Sequence, residues 1–244
     1  MTSIYKYSSL KPGKLIKRYK RFLADIELNT GETIVAHCPN TGPMKGVCEP
    51  DSEVWVSKHD NPKRKLAYTW EMIRVNNTWV GVNTWLPNRV MKNFLEQKLL
   101  PELATRYDSI RREVPYGKEG KSRIDFLLSK ADRPDIYLEV KNVTLTQGSD
   151  ALFPDTVTTR GQKHLQELIA LIPHAKPVML YFINRGDCSR FAPADTCDPK
   201  YGELLRQAVS AGVEIFPLRF EITPQEIRYI GKADLLLNQP PPVK

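Results

Sequence analysis

Ser122-Arg-Ile-Asp-Phe-Leu-Leu128 and Ile136-Tyr-Leu-Glu-Val-Lys-Asn-Val143 decide the reading of this chain. In the first run Ile124, Phe126 and Leu128 alternate with Arg123, Asp125 and Leu127. In the second, Ile136, Leu138 and Val140 alternate with Tyr137, Glu139 and Lys141. Side chains alternate faces along a strand, so Glu139 and Lys141 share one face. Asp132-Arg-Pro-Asp135 reads as the turn between two strands. Paired as a hairpin, the strands bring Asp125 beside Glu139, with Lys141 next to both. Two carboxylates and an ammonium hold a sheet together poorly. They suit a divalent cation well, because Mg²⁺ binds through one or two carboxylates and keeps waters for a phosphate-bearing substrate.

The spacing Glu-x-Lys alone says little. Glu96-Gln-Lys98 falls in a helical stretch and Glu119-Gly-Lys121 in a turn, and both match it. Only Glu139-Val-Lys141 has an apolar middle residue inside a strand and an Asp on the strand before. Taken by itself the stretch is equally compatible with a Glu139–Lys141 pair that merely faces water.

Working outward, residues 14–83 read as about five short strands parted by Gly, Pro and Asn turns: a run to Leu28, then Thr33–His37, Glu53–Lys58, Leu66–Val75 and Trp79–Val82. That pattern suits a small β-barrel over residues 1–85, with the five-stranded OB-fold as the candidate. Lys17-Arg18-Tyr19-Lys20-Arg21-Phe22 interleaves cations with aromatics, as a groove that tracks phosphates and stacks bases requires. Lys63-Arg64-Lys65 should project from a loop, and Asn40 and Thr41 sit in a tight loop of small hydrogen-bonding groups. Each cluster also has a plain explanation as a solvated edge or turn.

The net charge of the 244-residue chain is +8. Residues 1–83 carry +5 and the longer remainder +3, so an acidic polymer should meet the barrel first. Four cysteines without a Cys-x-x-Cys pair argue against zinc and for free thiols in a reducing cytoplasm. No apolar leader segment is expected at the N-terminus, and the longest apolar run, near Val178–Ile183, is too short to span a bilayer. His37, His59, His164 and His174 are scattered and receive no role.

Pro87 punctuates the boundary, and Asn88 is the expected N-cap of a helix carrying Arg89, Val90, Phe94 and Leu95. Pro101 ends or kinks that helix. Strands follow at Ser109–Val114, Ser122–Leu128 and Ile136–Val143, a helix from about Thr158, a buried strand Pro177–Ile183, a helix Pro199–Ala211 stopped by Gly212, and a strand Val213–Leu218. The tail from Gln239 is Pro-rich and expected to fray. An antiparallel meander followed by a helical crossover makes residues 86–244 a mixed-sheet α/β domain. The whole is a two-domain chain of α+β and α/β character.

Asp125 followed by Glu139-Val-Lys141 resembles the signature of the PD-(D/E)xK nuclease superfamily. The resemblance implies Mg²⁺ (or Mn²⁺) on Asp125, Glu139 and the main-chain carbonyl of Val140, with Lys141 serving the attacking water. It implies a further Gln or Lys from the next helix, Gln162 or Lys163, and a Glu from the first, Glu96 or Glu102. Longer stretches, Arg-Tyr-Lys-Arg-Phe-Leu-Ala-Asp25, His-Cys-Pro-Asn-Thr-Gly42, Ser-Arg-Ile-Asp-Phe126, Glu-Val-Lys-Asn-Val-Thr-Leu145 and Arg-Gly-Gln-Lys-His-Leu165, are similar to the sugar fermentation stimulation protein A family. That family is described as DNA-binding, with an OB-like domain joined to a nuclease-like domain and a proposed regulatory role in maltose metabolism. The resemblance therefore implies a DNA partner, and the clusters above supply its expected contacts, Arg18, Lys20, Arg21, Asn40, Thr41, Lys63, Arg64 and Lys65, together with Arg89. It leaves two functions open: a Mg²⁺-dependent deoxyribonuclease, or a non-catalytic regulator on a nuclease scaffold. The oligomeric state is open too, a homodimer included. A small-molecule sugar enzyme lacks any visible phosphate loop or catalytic histidine arrangement.

Overall fold

The computed structural model describes residues 1–117 and 120–237. Glu119 and the tail from Gln239 lie outside them. In chain order the strands are β1 (Thr2–Lys6), β2 (Leu10–Tyr19), β3 (Leu23–Leu28), β4 (Thr33–His37), β5 (Glu53–Lys58), β6 (Tyr68–Val75) and β7 (Thr78–Gly81). Helices α1 (Leu86–Glu96) and α2 (Pro101–Ala104) follow. Next come β8 (Ser109–Tyr116), β9 (Ser122–Ser129), β10 (Ile136–Val143), β11 (Leu145–Gln147) and β12 (Asp150–Phe153). The chain continues through α3 (Thr159–Ala170), β13 (Lys176–Ile183), β14 (Arg190–Pro193), α4 (Pro199–Ala211), β15 (Glu214–Ile222), β16 (Glu226–Lys232) and β17 (Asp234–Leu235).

Five strands close the expected barrel. Their order is β4-β3-β2-β5-β6, and β4 returns parallel to β6 through Ala36↔Tyr68 and His37↔Thr69. Leu15, Ile26, Val54, Val56 and Trp70 fill its interior. The Lys17–Phe22 run is not one groove-lining strand. Lys20 and Arg21 take positive φ, 48° and 66°, and turn the chain from β2 into β3. Turns with two left-handed residues ordinarily advertise themselves by Asn or Gly, and this one carries neither.

The second unit is a seven-stranded sheet, β1-β16-β15-β13-β10-β9-β8. β8, β9 and β10 form the antiparallel meander, and α3 crosses over to β13, which runs parallel to β10. One face packs on α1 through Phe94, Phe126, Leu138, Leu180 and Phe220. The other packs on α3 and α4 through Leu165, Leu168, Tyr181, Tyr201 and Leu205. β11, β12, β14 and β17 add a small separate sheet.

Two boundaries differ from expectation. β1 pairs antiparallel with β16, so residues 2–6 edge the second unit rather than starting the barrel. Asn88 is not an N-cap: α1 opens earlier, at Leu86-Pro87, where a proline in the first turn forfeits no intrahelical bond. The units also meet tightly. Gly81 N–H donates to the Asn184 carbonyl at 3.0 Å, and a Cβ at Gly81 would lie 2.2 Å from Asn184 Oδ1.

Candidate metal centre and nucleic-acid face

β9 and β10 do bring the acidic pair together. Their ladder runs as far as Leu138↔Phe126 and then gives way, because the Asp125 carboxylate takes the backbone donor itself: Val140 N–H donates to Asp125 Oδ2 at 2.7 Å. Asp125 Oδ1 accepts from Asn88 Nδ2 at 2.6 Å, across from α1. The residue expected to cap that helix instead holds the acid.

Glu139 is 3% exposed and His164, on α3, 4%. Glu139 Oε1 accepts from Lys141 Nζ at 2.7 Å and meets His164 Nδ1; Lys141 Nζ lies 3.1 Å from the same ring nitrogen. Glu139 Oε2 is buried with no hydrogen-bond partner. Arg160 Nε reaches the far ring nitrogen of His164 at 3.4 Å.

Electrostatics separate the two acids. Burial, and then the charge of Glu139, push the Asp125 carboxyl up to about 7. Burial acts on Glu139 in the same sense, but Lys141 and His164 outweigh it and hold that carboxyl below the usual range. Two buried neighbouring carboxylates, one resisting ionisation and the other with an unpaired oxygen, are what a hard divalent cation relieves. The donors are oxygen only, which fits Mg²⁺ or Mn²⁺ rather than zinc. Among the described residues no three His, Cys, Asp or Glu side chains group as a metal cage, so protein would supply part of a coordination shell and water or substrate the rest.

The other residues implied for this site are elsewhere. Gln162 donates to both carboxylate oxygens of Asp198, at 2.9 and 3.0 Å, tying α3 to α4. Lys163 donates to Ser122 Oγ at 3.1 Å and pairs with Glu167. Glu96 pairs with Lys92, and Glu102 with Lys232. His164 was missed although a signal existed: it stands four residues before Leu168, on the buried face of the helix, whereas Gln162 does not.

The cationic residues fall into two groups. Arg18 is not free for phosphate. Its guanidinium donates to the carbonyls of Arg21, Asn40 and Gly42, pinning the β2–β3 turn to the loop at 40–42. Lys20, Arg21 and Thr41 remain exposed there, while Asn40 is buried and its Oδ1 accepts from Gly42 N–H. Beside this loop a cavity of about 90 Å³ is lined by Asn40, Thr84, Asn142, Thr144 and Asp155, among others. Burial raises the Asp155 carboxyl. In the second group Lys63 and Lys65 are exposed, and Arg64 donates to Thr69 Oγ1 at 2.9 Å, which also lies 3.1 Å from His59 Nε2. Arg89 is exposed on α1, next in sequence to Asn88. No helix among the described residues is long and apolar enough to cross a membrane.

Comparison with known proteins matches both units. Residues 85–226 match the family model described as the sugar fermentation stimulation protein RE domain, and residues 16–82 match the SfsA N-terminal OB domain. The sugar fermentation stimulation protein homolog of Crocosphaera subtropica is 65% identical over 95% of this chain and 97% of its own. That of Synechocystis sp. is 60% identical over 97% and 100%. Among solved structures, that of Pyrococcus furiosus SfsA in complex with Ca²⁺ superposes with a TM-score of 0.86 at 26% identity, covering 97% of this chain and 100% of that one.

Proposed function

For a chain that belongs to the sugar fermentation stimulation protein family, we propose a divalent-cation-dependent phosphodiesterase acting on DNA, with the barrel binding the polymer and the β9–β10 site cleaving it. The observation that carries this is the buried Asp125–Glu139 pair with Glu139 Oε2 left unpartnered beside Lys141. A scaffold has no need of such a pair, since an unpaired buried acid costs stability without packing anything. The Ca²⁺ complex named for the Pyrococcus furiosus protein supports a cation of the same hard, oxygen-seeking kind.

Asp125 and Glu139 would hold the ion, which supplies a water of lowered pKa and neutralises charge on the phosphoryl group. Asn88 and the Val140 N–H fix the Asp125 carboxylate in one orientation. His164 and Glu139 Oε1 hold Lys141 Nζ at the site, where it can donate to a phosphate or water oxygen. His164 acts here as a positioning residue.

A second reading, a DNA-binding regulator of sugar metabolism that does not cleave, is favoured by one observation. Lys141 and His164 already engage Glu139 Oε1 and hold that carboxyl below its usual range, so the protein itself balances its charge without a cation.

Cleavage of linear, circular and single-stranded DNA with Mg²⁺ or Mn²⁺ separates the two, with Glu139→Ala as control. Loss of cleavage by at least about 100-fold in the variant is expected, as for removal of one electrostatic stabiliser. Wild-type protein that binds DNA salt-sensitively yet cuts none of the three would transfer the assignment to the regulator.

A further inference from the structure

Trp85 is 57% exposed at the junction of the two units, where α1 begins. The chain's other tryptophans are buried or half-buried: Trp70 inside the barrel, Trp55 and Trp79 packed on the core beside α1. An indole left largely in water forgoes apolar burial, and this one is also held in place. Its ring lies against the His37 imidazole, with centroids 5.0 Å apart and planes inclined by 34°. One face is thus backed by the protein while much of the side chain meets solvent.

Two arginines lie near this pair. His37 is in register with Thr69 across the barrel closure, and Thr69 Oγ1 receives Arg64. Arg64 is near enough that its charge, after burial, helps lower the His37 pKa. Arg89 stands four residues beyond Trp85 on α1, one turn along the same face. Asn88, three residues beyond, holds Asp125. Trp85, Asn88 and Arg89 therefore follow one another within about one helical turn of 5.4 Å, and Asn88 ties that turn to the acidic pair.

We propose that Trp85, backed by His37 and flanked by Arg64 and Arg89, is a stacking platform for an unpaired nucleobase, so that the substrate is single-stranded DNA or a frayed duplex end. This rests on the nucleic-acid reading above and names its substrate class. In the interior of a duplex both faces of a base are already stacked, so the indole can take only an unpaired base or one at an opened end. The basic barrel favours a polyanion over any other aromatic ligand.

The test is binding by fluorescence anisotropy, in chelator, of an oligothymidine strand and of a relaxed, covalently closed duplex minicircle with neither ends nor loops, by wild type, Trp85→Ala and Trp85→Phe. Trp85→Ala should weaken single-strand binding about 10-fold or more, the range for loss of one base–aromatic stack, and change duplex binding less than about 2-fold. Trp85→Phe should keep most of the affinity, which a merely structural role for the indole bulk would not predict. It should also lose the tryptophan quenching that the strand causes in wild type. Equal losses on strand and duplex, or none on either, would overturn the platform while leaving DNA binding intact. Wild type that binds neither would bring down the platform and the nucleic-acid reading together.

Discussion

At the scale of the residue, Asp125 makes the site sensitive to pH. Its carboxyl ionises near 7 when folded and near 3.9 in an unfolded chain. Between those values the folded protein keeps a proton that the unfolded chain has released. The favourable contribution is therefore complete below about pH 4 and is lost as pH rises through 7. In chelator, Asp125→Asn should raise the Tm at pH 8 by several degrees and give no gain at pH 4. Asn88 can turn its amide to face the new one. Mg²⁺ should raise the Tm of wild type and not of the variant; a retained Mg²⁺ shift would remove Asp125 from the ligand set. Asp125, Glu139 and Lys141 were legible in the sequence because strand alternation fixes which side chains can meet. Of His164 only its place on the buried face of α3 could be read, and of Asn88 nothing of its hold on Asp125, because the rotation of each helix against the sheet is set by packing of Leu165, Leu168 and Phe94.

At the scale of the element, Asp198 joins two helices. It caps α4 by accepting from Tyr201 N–H at 3.0 Å, and it also accepts from Thr158 N–H and Gln162. Asp198→Ala should cost about 2 kcal/mol in urea unfolding. Gln162→Ala should cost less, about 1 kcal/mol, and leave Mg²⁺ affinity unchanged. A large loss of Mg²⁺ affinity in Gln162→Ala would restore that residue to the metal site. The start of α3 and both ends of α4 could be read directly, from Thr158, from Pro199 and from Gly212, whose φ of 106° stops the helix. The start of α1 and the turn at Lys20–Arg21 could not, since Trp85 makes no side-chain cap and the turn lacks the residues that usually mark left-handed backbone.

At the scale of the whole molecule, the fit of barrel to sheet depends on Gly81. A methyl group there meets Asn184 Oδ1 at 2.2 Å, and overpacking of this kind costs about 1–3 kcal/mol. All four tryptophans lie between positions 55 and 85, while the helices follow them. Tryptophan fluorescence thus follows the barrel and its junction, and helical circular dichroism the second unit. In wild type the two signals should fall together on heating. In Gly81→Ala they should part, the fluorescence changing first; coincident transitions would mean that the contact between the units is not held at this point. Both architectures were legible from turn spacing and element order. The pairing of β1 with β16 was not, because nothing local in Thr2–Lys6 says that its partner is at Glu226–Lys232.

That pairing has a consequence for synthesis. Thr2 must wait for Tyr229, and the barrel lies wholly between them. During translation the barrel can close while the ribosome is still making the meander, since domains generally fold as units and the N-terminal one first. β1 meanwhile stays an unpaired strand, and the sheet is completed only when β16 emerges. Deletion of Thr2–Lys6 would then leave the barrel intact and bare the β16 edge, turning a well-folded nascent protein into a self-associating one.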